Sequence, residues 1–173
     1  GGSIGGNAAF TATNGDVVMT SAPTITGDLS LTTVGSGDVI VSDTLTVGGD
    51  LTVDADDLRD SDGGVLTLAA TNANITLRDA GPQAHNWTTT FGQLELAIDG
   101  IGDFSLTNSG ALNLISVVNG GNTTITTDVG GLSIGTASVG GDAVFTGAGD
   151  LTMGSVSAGG NAEFTSTTGD ITF

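Results

Sequence analysis

Residues 54–63, Asp-Ala-Asp-Asp-Leu-Arg-Asp-Ser-Asp-Gly, place five carboxylates, Asp54, Asp56, Asp57, Asp60 and Asp62, beside one arginine. Crowded hard oxygen ligands are the donor set that Ca2+ takes, so a Ca2+ site is one reading of this segment. The spacing is not that of an EF-hand. With Gly63 as the loop's invariant glycine, the first ligand would be Leu58 and the terminal acid Ala69. The glycine-rich nonapeptide of calcium-binding β-rolls is missing too, because Gly48-Gly49 runs into Asp50-Leu51. A solvated acidic loop is the plainer reading.

A second segment, 78–91, holds the single histidine, His85, and the single tryptophan, Trp87. An indole on a protruding loop can stack on a sugar ring; otherwise it covers the side of the fold. Arg78, Asp79, Glu95 and Asp99 are residue types from which a polysaccharide-cleaving carboxylate pair could be built. Two basic residues and one histidine leave few cationic clamps and no strong base, so the chain is read as non-enzymatic. No cofactor is called for, Ca2+ being the one ion the residues suggest. Finally, Thr11, Thr32, Thr107, Thr126, Thr146 and Thr165 recur at one outward position, as the hydroxyls of an ice-binding face would. Threonine is also ordinary strand surface, and Asp54 and Arg78 interrupt the series.

What must position these groups is an internal repeat. Val139-Gly140-Gly141-Asp142-Ala143-Val144-Phe145-Thr146 is echoed by Ala158-Gly159-Gly160-Asn161-Ala162-Glu163-Phe164-Thr165 and by Ile4-Gly5-Gly6-Asn7-Ala8-Ala9-Phe10-Thr11. Anchors at Gly6, Gly27, Gly49, Ala73, Gly102, Gly121, Gly141 and Gly160 define eight units spaced by 21, 22, 24, 29, 19, 20 and 19 residues. The swollen middle predicts two loop insertions, 54–63 and 78–91. After each anchor, and again about half-way to the next, apolar residues alternate with polar ones, as in Leu51 and Val53 or Leu151 and Met153. Period 2 is the strand period, and no helical stripe competes with it.

Like side chains at like offsets predict stacked rungs rather than a sandwich. The expected fold is all-β: a right-handed parallel β-helix, or β-solenoid, of about eight triangular coils with 19–22 residues per regular coil. Residues 1–173 are read as a single solenoid segment of a longer protein or fibre, since neither end carries a polar capping unit. At the corners, glycine accepts positive φ, and a ladder of Asn7, Asp28, Asp50, Asn74, Asp103, Asn122, Asp142 and Asn161 is expected to stack there.

Composition narrows the partners. Two Lys/Arg against 19 Asp/Glu, a net charge of −17, leave almost nothing to neutralise phosphates, so neither nucleic acid nor an anionic membrane surface is an expected partner. No stretch is apolar for long enough to insert in a membrane as a helix. With no cysteine there is no disulfide or thiolate site.

The phrase Gly-Gly-(Asp/Asn)-hydrophobic-x-hydrophobic, followed by a second Gly-Asp-hydrophobic-Thr-hydrophobic, resembles the repeats of filamentous haemagglutinin-type exoproteins and adhesins. The resemblance covers nearly all of the chain outside 54–63 and 78–91. It implies a β-helical shaft of an extracellular or cell-surface filament, exported from a Gram-negative bacterium by two-partner or autotransporter-like secretion. The shaft would present loops or distal domains for attachment or matrix formation. The implied partners are other copies, end to end or side by side, neighbouring repeats of the parent chain, glycans and the surface of a host or neighbour cell. The secretion domain of that family carries Asn-Pro motifs, whereas Pro23 and Pro82 follow no asparagine. Lack of cysteine suits a chain threaded unfolded through a membrane.

Overall fold

A computed structural model describes residues 2–21, 23–42, 44–78 and 81–173. Among these there is no helix, and every strand pairing is parallel. The chain winds into a β-solenoid of about eight turns with three faces. Face 1 has nine strands: Ser3–Ile4, Thr24–Ile25, Leu45–Val47, Leu66–Ala69, His85–Thr90, Phe104–Asn108, Thr123–Thr127, Ala143–Gly147 and Ala162–Ser166. Face 2 also has nine: Ala8–Ala12, Leu29–Thr33, Asp50–Ala55, Asn72–Leu77, Gln93–Ile98, Leu112–Asn119, Leu132–Val139, Leu151–Ala158 and Ile171–Thr172. Face 3 is a short sheet of Val17–Met19, Val39–Val41 and Leu58–Asp60.

Alternation fills the core, because the inward residues of each strand stack on those of the coil below. One column runs through Leu29, Leu51, Ala73, Leu94, Leu114, Ile134 and Met153, all buried. This register also measures the coils. From Ala8 to Met153 the successive lengths are 21, 22, 22, 21, 20, 20 and 19 residues. No coil is swollen, which corrects the expected insertions. Residues 54–60 close one face-2 strand and form the last strand of face 3, with Leu58 stacked on Val39. Residues 85–90 form a face-1 strand held between Leu66–Ala69 and Phe104–Asn108. What departs from strand is a turn at 61–65 and the connection 78–84, within which 79 and 80 lie outside the described residues.

The spacing of 29 arises because the glycine-Asx phrase changes corner, and that of 24 because Asn74 stands two residues beyond Asn72, the residue that pairs with Asp50. In the early coils it leads into face 2, as Asp50 leads into Leu51; from Asp103 onward it leads into face 1. The single ladder expected from sequence is therefore two ladders. Asn7, Asp28 and Asp50 continue into Asn72, which pairs with Asp50, so Asn74 is not a member. Asn74 lies two residues further along, on the outward side of the strand, where its amide donates to Glu95 (3.0 Å). The second ladder is Asp103, Asn122, Asp142 and Asn161.

Each ladder works through one repeated bond. The Oδ1 of one Asx accepts the backbone N–H of the Asx one coil on: Asp28 to Asn7 at 2.9 Å, Asp50 to Asp28 at 3.0 Å, Asp142 to Asn122 at 2.8 Å and Asn161 to Asp142 at 2.7 Å. The side chain thus replaces the ladder carbonyl where the chain turns, leaving no donor orphaned. It also explains the preceding glycine. A Cβ on Gly141 would overlap the Asn122 side-chain oxygen, and one on Gly140 would overlap the Gly120 carbonyl. Positive φ, the expected reason for these glycines, is confined among the described residues to Gly6, Gly15, Gly35, Gly63, Gly81 and Gly130. Close approach of stacked backbones selects the others named here.

Candidate functional site

The two segments singled out from sequence meet at the place where face 3 stops. Asp57 immediately precedes the last face-3 strand, and the next coil has no third strand to cover it. His85, at the start of a face-1 strand, is there instead: its Nδ1 lies 3.5 Å from Asp57 Oδ1, and both side chains are buried. The Asp57 Oδ1 also accepts the Leu58 N–H at 2.7 Å. Burial pushes the Asp57 carboxyl above the ordinary aspartate range, and the Asp38 charge adds to this. His85, the Leu58 N–H and Arg59 act in the opposite direction without cancelling it.

Beside this pair is a cavity of about 110 Å³, lined by Asp57, Arg59, Asp60, Gln83, His85 and Trp87 among others. It can hold small polar molecules. Around it the remaining charges are already committed. Arg59 is held on Asp38 at 3.2 Å, one coil below. Arg78 reaches down the corner to Asp54, to Asp56 at 3.4 Å and to backbone two coils away at Thr33 and Gly35. The two arginines are straps along the axis.

The five carboxylates that one of the two readings grouped around a Ca2+ ion are pulled apart by these partners. Asp54 and Asp56 face Arg78, and Asp57 faces His85. Asp60 accepts the Gly64 N–H at 3.1 Å, and Asp62 accepts the Ser61 hydroxyl at 3.4 Å. Among the described residues no three His, Asp or Glu side chains are grouped so that they could hold a metal ion. Alternation explains this: neighbours along a strand point to opposite sides, so carboxylates dense in sequence diverge in space.

Trp87 is not a sugar platform. It is 1% exposed, stacked between Leu66 and Leu106, with its ring edge-on to Phe104 at 5.0 Å. Of the hydrolytic set, Glu95 is bound by Asn74, Arg78 by the acids above, and Asp79 lies outside the described residues. Asp99 follows the face-2 strand and donates its N–H to the Leu77 carbonyl.

Sequence reasoning missed a set of buried polar residues at strand ends. Asn108 is fully buried. Its Oδ1 accepts the Phe91 N–H and the Thr89 hydroxyl, both at 2.8 Å, and its Nδ2 donates to the Phe91 and Gly110 carbonyls at 3.0 Å. Thr127 and Ser166, in the same column, bind the carbonyls of Gly130 and Gly149. These groups close the turn that leaves face 1. Their signal in the sequence is a polar residue where alternation demands an apolar one, just before a glycine turn.

No family model, curated protein or solved structure matches the chain.

Proposed function

We propose that this chain is a structural shaft: a stiff segment of an extracellular or cell-surface filament of the haemagglutinin-type exoprotein and adhesin kind. The observation that carries the reading is the pair of nine-stranded parallel sheets running side by side along the whole described length. At about 4.8 Å per rung, eight coils extend roughly 38 Å. Every coil bonds to the next through backbone ladders and Asx bonds, so stiffness is a property of the repeat itself.

The committed charges support the same reading. Both arginines brace successive coils. The glycine-Asx phrase that carries the family resemblance is the stacking device, so in this reading the resemblance reflects mechanics rather than a shared ligand. The partners are further coils of the same kind, of the parent chain or another copy, and the surface of a Gram-negative bacterium is the place of display.

Electron microscopy and fibre diffraction of the native, uncut material test the proposal. Continuous thin fibres with an axial reflection near 4.8 Å support it. Compact isolated particles overturn it.

A further inference from the structure

We propose that face 1 is an ice-binding surface, on which a rigid column of threonine side chains adsorbs to crystalline water. The inference does not rest on the chain forming filaments.

Register, which sequence alone does not give, assembles the column. Thr67 pairs with Thr88, Thr88 with Thr107, Thr107 with Thr126, Thr126 with Thr146, and Thr146 with Thr165. The hydroxyl series read from sequence mixed two faces: Thr11 and Thr32 lie on face 2, and the Asp54 that interrupts it lies there too. Arg78 stands in no strand. With those removed and Thr67 and Thr88 added, face 1 carries threonine in six consecutive coils without a break.

Strand propensity does not account for this uniformity. Face 2 is built from the same chain with the same parallel pairing, yet its corresponding outward column reads Thr32, Asp54, Thr76, Ala97, Val118, Ser138. Nor are the six hydroxyls needed to hold the fold. None of them makes a hydrogen bond within the described residues, whereas the inward Thr89 and Thr127 of the same strands do. Beside the column, two residues back along the strands, stand Asn86, Ser105, Thr124, Val144 and Glu163.

The resulting grid repeats at about 4.8 Å along the axis and about 6.6 Å along the strand. It is fixed by continuous backbone bonding, and the axial repeat lies close to that of oxygen atoms along the a axis of ice. A hydroxyl and a methyl on each residue of the threonine column can accept a place in the lattice and exclude disordered water from the gaps. Weak contacts on six rungs add because the rungs cannot move independently. Charge supports a neutral crystalline partner. In a chain of net charge −17, the outward positions within the face-1 strands from Thr67 to Thr146 carry no charge; the nearest acids, Asp103 and Asp142, stand at the corner before those strands, and Glu163 is the first acid within one. An exposed ring for stacking on a sugar is missing there, because Trp87 points into the core.

The test is slow growth of ice from a solution of the intact chain, with protein measured in the ice and in the remaining liquid, together with the gap between melting and freezing. The expected result is enrichment in ice and a measurable gap. Thr126→Lys should lose both with an unchanged circular dichroism spectrum, while Thr136→Lys, outward on face 2, should keep both. Thr126→Ser, which restores the hydroxyl without the methyl, should recover part of the effect and guards against a misfolded lysine variant. Exclusion of the unmodified chain from ice overturns the proposal, as does equal loss in the face-1 and face-2 variants. Retention on crystalline cellulose or chitin with exclusion from ice overturns it in favour of a glycan.

Discussion

The coils before residue 72 and those after residue 103 use the same phrase to build different cross-sections. Early coils of 21–22 residues turn through three separate short strands, one on each face. Late coils of 19–20 residues use a five-residue strand on face 1 and an eight-residue strand on face 2, and face 3 has no strand of its own. The eight-residue strand still turns a corner. In Leu132–Val139 the inward residues are Leu132, Ile134, Ala137 and Val139, so Gly135 and Thr136 both face outward where the strand bends. The one to three residues saved per coil are thus a corner made within a strand rather than by a loop. The seam between the two geometries, at Asp57, His85 and Trp87, is where the largest ring and the buried titratable pair are found.

That contrast can be broken most severely at the seam. Trp87→Ala removes the largest buried side chain where face 3 ends, and should cost about 3–5 kcal/mol in chemical denaturation. A loss below about 1 kcal/mol would mean that the seam is loosely packed. Next is the close stacking of late corners. Gly140→Val, whose branches would overlap the Gly120 carbonyl, should cost about 3 kcal/mol, whereas Gly110→Ala, with nothing within 4 Å of the added carbon, should be nearly neutral. Equal effects at the two glycines would contradict close approach as the reason for the phrase. Asn108→Leu strands the Phe91 amide and the Phe91 and Gly110 carbonyls inside the late coils, and should cost about 2 kcal/mol.

Smaller effects test electrostatics at the seam. Because burial raises the Asp57 carboxyl in the folded state, the folded chain holds that proton more tightly than the unfolded one. The stability linked to it is present below about pH 4 and is lost as pH rises through the raised value. Asp57→Asn, which keeps an oxygen for the Leu58 N–H but carries no charge beside Asp38, Arg59 and His85, should raise Tm at pH 7. It should change little at acid pH. Arg78→Gln, by contrast, loosens a half-exposed strap and should cost no more than about 1 kcal/mol, less at high salt.

Much of the fold was legible in the sequence because a solenoid is a local rule repeated: alternation names the inward residues, and glycine-Asx names corners. The candidate site was less legible. Asp54, Asp56, Asp57, Asp60 and Asp62 read as one cluster because sequence density resembles spatial density, yet a strand sends its neighbours to opposite sides. Trp87 and His85 read as a loop because the glycine-Asx phrase moves from the face-2 corner to the face-1 corner between Asn72 and Asp103, which made a regular coil look swollen. Asn108 was passed over because only the turn beside it shows why a polar group belongs in the core.

By itself the sequence determined the strand period, the coil number, the inward set and the acidic, cysteine-free surface, since each depends on residues close along the chain. Tertiary structure alone decided which corner each phrase occupies, where face 3 ends, that Asp57 meets His85, and that six threonines form one column. Those depend on register between coils about 20 residues apart. A shift of two residues leaves the local alternation unchanged while moving a side chain to a different neighbour.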